Sequence, residues 1–168
     1  MERKLKKAVP DLYEAELRDL VETSTDEVRR LDHIVDQFLK AIRPSQPQLE
    51  PTDVNELIKE SMRFLEPEIK DRGLNLTLEL RSALPALELD PDQIKQAFYN
   101  IVKNSIQATP ESGKITVKTD LSDNHILVTF NDTGEGISAE NLSTVFQPYF
   151  TTKKSGTGLG LLIIRRII

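Results

Sequence analysis

Three prolines fall within the segment Arg43-Pro44-Ser45-Gln46-Pro47-Gln48-Leu49-Glu50-Pro51, and no helix can run through it. Each proline lacks a backbone donor and clashes with the turn before it. The chain must therefore fold as one piece upstream of the break and another downstream, and the two pieces read differently. Upstream, Tyr13, Leu17, Leu20, Ser24, Val28, Leu31, Val35, Phe38 and Ile42 recur at steps of three and four, with charged residues on the other faces. That spacing predicts one long helix over 11–43, opened by Pro10, whose fixed φ suits a first turn. Its heptad-like stripe needs cover, either from a partner helix in a dimerising bundle or from the body of its own domain. Residues 1–8, with Lys4, Lys6 and Lys7, fit the tail of a preceding helix.

Downstream, helices and strands alternate irregularly. Thr52 or Asp53 caps a helix with Val54, Leu57, Ile58, Met62 and Leu65 on one face, which Pro67 should kink or end. After Gly73, the alternation Leu74-Asn75-Leu76-Thr77-Leu78-Glu79-Leu80-Arg81 predicts a strand with one buried face. A short strand is expected at 87–89. Asp90-Pro91-Asp92-Gln93 opens the next helix, with an acidic cap, a first-turn proline, and Gln93 placed to complete a capping box. That helix should reach about Ala108. Strands at 114–119 and 126–130 read as a hairpin, and a last helix begins near Gly158 and is still apolar at Ile168. The expected class is α+β, a two-layer sandwich with one helical layer on a mixed sheet.

Composition narrows the function. Of 168 residues, 38% are hydrophobic and 29% charged, which suits a folded domain rather than a disordered one. A net charge of -5 argues against nonspecific nucleic-acid binding. Without cysteine there is neither a disulfide framework nor a thiolate metal site, which is compatible with the cytosol. No apolar run approaches the roughly 20 residues of a membrane span, so membrane contact by this stretch is not expected.

Four segments carry chemistry. In the helix from Pro91, Ile94, Ala97, Phe98, Ile101, Ser105 and Ala108 share a face, and Gln96, Asn100, Lys103, Asn104 and Gln107 the opposite one. Neutral amides at i, i+4 are unusual on a solvated face, where Glu and Lys prevail. An amide oxygen is a hard ligand of the kind Mg²⁺ accepts. Lys103 could meet phosphate oxygens or simply be a surface lysine. Asp132, in Asp132-Thr133-Gly134-Glu135-Gly136, sits where a strand gives way to a sharp turn. Residues 137–155 form a stretch of about twenty residues without periodicity, long enough to be a lid or a capping loop. Phe146, Tyr149 and Phe150 in it should dock against something. Gly156-Thr157-Gly158-Leu159-Gly160-Leu161 opens the last helix, where free N–H groups and the positive dipole end favour phosphate. It is not a Walker loop, since no Gly-Lys-Ser/Thr follows.

In this order, the four segments resemble the N, G1, F and G2 boxes of the catalytic ATP-binding domain of a sensor histidine kinase of the nitrogen-regulator type. The resemblance spans about 11–168. It implies that Asn104 coordinates the Mg²⁺ of Mg-ATP and that Asp132 reads the adenine amine. It further implies that Gly134 and Gly136 make room for the ring, and that Phe146, Tyr149 and Phe150 anchor an ATP lid. Thr151, Thr152 and Lys153 match a signature whose lysine lies near the terminal phosphate, and Gly156, Thr157, Gly158, Leu159 and Gly160 cradle phosphates. Asn100 stands where gyrase- and MutL-type ATPases carry a water-activating glutamate. A neutral amide is no general base, which favours phosphoryl transfer over hydrolysis. Asn100, Lys103 and Lys153 are the candidate catalytic residues. The implied domains are 1–46, the dimerisation hairpin's second helix with the end of its first; 47–52, a linker; and 53–168, the catalytic domain.

The family's phosphoacceptor is a histidine followed by an acidic residue. Of two histidines, His33 lies in Arg30-Leu31-Asp32-His33-Ile34-Val35 and His125 precedes a strand; neither has that context. The acceptor is thus expected upstream of Met1, and further strands beyond Ile168. The implied partners are a second copy of the chain, through the helical segment, and a response-regulator receiver domain. The implied location is the cytoplasm, with a parent protein that can be membrane-anchored. The rival readings are a stand-alone ATPase of the same superfamily and a non-catalytic dimerising scaffold.

Overall fold

The computed structural model describes residues 16–29, 31, 35, 46–153 and 156–168. The chain divides into two units, Met1–Ile42 and Arg43–Ile168. In the first, residues 16–29 form a helix, α1, and 31 and 35 are helical too. Leu17, Leu20, Val28, Leu31 and Val35 of the apolar stripe are all exposed. The remainder of the helix expected over 11–43 lies outside the described residues.

The second unit runs β1 (Glu50–Thr52), α2 (Val54–Asp71), β2 (Asn75–Glu79), β3 (Leu87–Leu89), α3 (Pro91–Ala108), β4 (Lys114–Ser122), β5 (His125–Asp132), α4 (Ala139–Leu142) and α5 (Gly160–Ile167). Its main sheet has the order β2-β4-β5, with β2 parallel and β5 antiparallel to β4. Period-two alternation buries Ile115, Val117 and Thr119 of β4 on one face. Against them pack Ile58, Met62 and Leu65 of α2 and Phe98, Val102 and Ile106 of α3. The α+β sandwich is as expected.

Asp53 is the cap of α2, its carboxylate accepting from the Asn55 and Glu56 amides at 2.8 and 3.3 Å, while Thr52 ends β1. Pro67 does not end the helix, which continues to Asp71. The carbonyl that Pro67 deprives of a donor belongs to Arg63, an exposed residue, so water can serve it. Burial of Ile69 holds the turn that follows. The segment expected as linker ends in a strand: Glu50, Pro51 and Thr52 pair antiparallel with Leu89, Glu88 and Leu87.

Asp90 caps α3 through the Gln93 amide at 3.0 Å and also accepts from the Gln48 amide at 2.9 Å. Gln93 closes the box on the Asp90 carboxylate itself, at 3.1 Å. Ala97, Phe98 and Ser105 of the expected face are buried, but Val102 and Ile106, both 0% exposed, join them while Ile94 and Ile101 are half-buried. The reason is that α3 packs on two sides, against α2 and the sheet and also along α5. Little of α3 is left solvated, Asp92 and Gln107 being its exposed residues, so a simple amphipathic stripe does not mark its core. The last helix begins at Gly160, not Gly158, because Gly158 takes φ +67°, a left-handed conformation that cannot start a helix. Leu159 and Ile163 are buried, and Leu161, Leu162, Ile164 and Ile167 half-buried, so α5 is less bare than its sequence implies. Among the described residues, no helix is long and apolar enough to cross a membrane.

Candidate nucleotide-binding site

Helix α3 organises the site because its two ends of chemistry face different neighbours. Asn100 and Asn104, half-buried, point at the start of α5. A methyl group built on Gly160 would touch Asn100 Oδ1 at 3.7 Å and Asn104 Nδ2 at 3.9 Å. No side chain caps α5, so its first-turn N–H groups stay available beside these amides. Neutral amides and an uncapped dipole end suit an anionic ligand and a hard cation together.

The next residue, Ser105, meets the end of β5. Its Oγ donates to Asp132 Oδ2 at 2.7 Å, and the Gly134 amide donates to Asp132 Oδ1 at 3.0 Å. The Glu135 amide donates to the Ala108 carbonyl at 3.2 Å, fastening the turn to the C-terminus of α3. A Cβ on residue 134 would lie 2.8 Å from that carbonyl, so the close approach requires glycine. Thr133 pins the other side, its Oγ1 accepting from the Lys114 amide at 2.9 Å. Gly136, at φ +72°, has nothing within 4 Å of where a Cβ would stand.

The loop from Ile137 carries the short helix α4 and is anchored by Val145, 7% exposed. The aromatic anchoring expected from sequence is only partly present: Phe150 is half-buried, but Phe146 and Tyr149 are 42% and 57% exposed. The backbone does the docking instead. The Tyr149 amide donates to the Gly158 carbonyl at 3.1 Å, and Tyr149 itself takes φ +65°. A Cβ on Gly158 would fall 2.3 Å from the Tyr149 carbonyl carbon, so this contact excludes any side chain at 158. Gly156 packs as closely on the Thr151 hydroxyl, while Thr152 is exposed and Thr157 half-buried.

Lys153 reaches across to α3, its Nζ donating to Gln107 Oε1 at 2.8 Å. Burial lowers its pKa from the ordinary lysine value, and the carboxylates of Glu135 and Asp132 oppose that shift. Lys103 is engaged elsewhere, 3.3 Å from the Tyr99 hydroxyl and 5.4 Å from the ring centroid. His125 opens β5 at the end opposite Asp132, its Nδ1 2.9 Å from the Asp123 carbonyl. His33 lies outside the described residues. Asn100, Asn104, Asp132, Gly134, Lys153 and Gly160 thus meet on or against α3; Lys103 lies on the same helix but turns to Tyr99, and His125 stands at the other end of β5. Sequence reading missed Ser105 and Gln107 as partners of Asp132 and Lys153. A hydroxyl directly after Asn104 on a core-facing position was the available signal.

This architecture of α3, the Asp132 turn and the α5 start defines a class. Residues 89–168 match the family described as "Histidine kinase-, DNA gyrase B-, and HSP90-like ATPase". Within that class, the chain is 36% identical to the catalytic domain of histidine kinase ThkA, covering 72% of this chain and 80% of that one, with a TM-score of 0.67. It is 33% identical to the sensor histidine kinase ZraS of Escherichia coli (strain K12), over 91% of this chain and 33% of ZraS. It is 34% identical to sporulation kinase D of Bacillus subtilis (strain 168), over 84% of this chain and 28% of that kinase. The chain belongs to the histidine kinases. It spans about a third of the length of the curated relatives it matches.

Proposed function

We propose that this chain is the ATP-binding catalytic module of a sensor histidine kinase. It would pass the γ-phosphoryl group of ATP to a histidine elsewhere in the protein, and thence to a response-regulator aspartate. The observation that carries this is the convergence, along one helix, of two neutral amides on the α5 start with an Asp132 carboxylate fixed at the far end. An acceptor-only carboxylate suits the amine of adenine, and uncapped helix N–H groups suit phosphate. The bond of Lys153 to Gln107 supports a lysine that exchanges that partner for a terminal phosphate oxygen. The amide donor set fits Mg²⁺, held through Asn104, which when bound supplies neutralisation of phosphate charge. Asn100 offers no base to activate water, which favours a protein acceptor over hydrolysis.

The exposed stripe of α1 supports pairing with a second copy of the chain. A structural relative, histidine kinase ThkA in complex with response regulator protein TrrA, shares 32% identity over 86% of this chain and 41% of its own, with a TM-score of 0.73. It supports a receiver domain as partner, and a cytoplasmic site of action follows from the need for ATP. Calorimetric titration with ATP, with and without Mg²⁺, tests the reading. Magnesium-dependent binding of about one nucleotide per chain, lost in Asp132→Asn, is the expected result. A folded chain that binds no nucleotide would overturn it and leave a dimerising scaffold.

A further inference from the structure

Two serines are buried within the helices of the second unit, and they spend their hydroxyls differently. Ser61 Oγ donates to the Leu57 carbonyl one turn back, at 2.7 Å. That is the default for a serine inside a helix, where the preceding turn is the nearest acceptor. Ser105, 5% exposed, does not take it. Its Oγ reaches out of α3 to Asp132 Oδ2 at 2.7 Å, across to the last residue of β5. The Gly134 amide holds Oδ1 at 3.0 Å, so each carboxylate oxygen has one fixed donor. A carboxylate fixed at both oxygens cannot turn about its own axis, and its remaining lone pairs keep one direction.

We propose that Ser105 is a positioning and specificity residue for the purine ring: it holds the Asp132 carboxylate so that its free lone pair meets the 6-amino group of adenine. The inference rests on the nucleotide reading above and deepens it. Because Ser105 donates, Asp132 stays an acceptor toward the ligand. The site then favours a purine bearing an amine at position 6 over one bearing a carbonyl or hydrogen there. Ser105 follows Asn104 directly, so a single turn of α3 would set the phosphate end and the base end of the nucleotide together.

The test compares Mg-ATP with the triphosphate of purine riboside, which lacks the 6-amino group, on wild type and Ser105→Ala. Loosening the Asp132–amine hydrogen bond without removing it predicts ATP binding weaker by roughly 3- to 10-fold, and purine riboside triphosphate binding unchanged. The preference between the two nucleotides should shrink by the same factor. Equal weakening toward both nucleotides would assign Ser105 a packing role and overturn the proposal, as would unaltered ATP binding. Wild type that binds neither nucleotide would sink the nucleotide reading itself. Wild-type binding that Asp132→Asn abolishes and Ser105→Ala spares would sink this inference alone.

Discussion

The body of the second unit and the loop from Ile137 to Leu159 are held by opposite means. In the body, side chains do the holding: Ile58, Val102, Ile106, Ile115 and Val117 are 0% exposed and interlock between two helices and a sheet. In the loop, Val145 and Leu159 are the described residues that are buried. The rest carries backbone contacts such as that of Tyr149 with Gly158, both at positive φ, and the Lys153 side-chain bond to Gln107 of α3. Side-chain burial yields stability that is hard to perturb locally, since dense packing transmits any defect. Backbone latches yield little stability but fix a geometry that can open as a unit. The body should therefore decide whether the chain folds, and the loop whether it binds.

The sharpest way to break this division is Ile106→Ala. Removing a fully buried aliphatic group should cost about 2–5 kcal/mol of unfolding free energy in urea titrations. Phe146→Ala in the loop should change it by no more than about 0.5 kcal/mol. A loop truncation as costly as the core one would show that the loop belongs to the folding core. Next in size is Gly158→Ala. A Cβ there meets the Tyr149 backbone at 2.3 Å, and the φ of +67° is strained for alanine. Strain of about 1–3 kcal/mol should open the latch and weaken Mg-ATP binding roughly 5- to 100-fold, while the urea midpoint moves little. Equal loss of binding and stability would merge loop and body into one cooperative unit.

Elements fixed by local chemistry were legible in the sequence. Asp90-Pro91 set the start of α3 and Asp53 that of α2, because a cap needs only its own first turn. The strand at 87–89 and the hairpin expected from strands at 114–119 and 126–130 are likewise present, the hairpin's strands reaching further, to Ser122 and from His125 to Asp132. What was not legible depends on neighbours distant in sequence. Strand β1 exists only because β3 lies beside it, and its Glu50-Pro51-Thr52 carries no strand pattern of its own. Pro67 is tolerated because of which face it occupies. In the candidate site, Asn100 and Asn104 were singled out by residue type and Asp132 by its resemblance to a family motif, but the Ser105–Asp132 and Gln107–Lys153 contacts join elements 27 and 46 residues apart. No local periodicity reports such pairs.

A smaller effect probes the seam where the β1 segment meets the body. Asp90 accepts from the amides of Gln93 and Gln48, and these bonds hold its pKa below the ordinary 3.8. A carboxylate whose folded pKa is depressed stabilises the fold above its unfolded pKa and ceases to do so as pH falls through the folded one. Asp90→Ala should therefore cost about 1 kcal/mol near neutrality. The difference from wild type should narrow as the pH drops below 3.8. A gap that is constant with pH would mean that the cap acts by shape rather than charge.

The smallest expected effect has the opposite sign. Among the described residues, the buried hydroxyl of Thr109 has no hydrogen-bond partner. Thr119 shows what a satisfied one looks like, accepting from the Arg81 amide at 2.9 Å and donating to Asn55 Oδ1 at 3.0 Å. A buried polar group without a partner loses its water and gains nothing in exchange. Valine has nearly the same shape, so Thr109→Val should stabilise the body by a few tenths to about 1 kcal/mol in urea unfolding. Thr109 directly follows the last residue of α3, whose carbonyl binds the Glu135 amide, so the substitution also probes how body and site are joined. If Thr109→Val stabilises and leaves Mg-ATP binding unchanged, the hydroxyl is a defect of the body alone. If it destabilises or weakens binding, the hydroxyl serves a water or ligand beside the Asp132 turn, and the division between a body that folds and a loop that binds fails at that point.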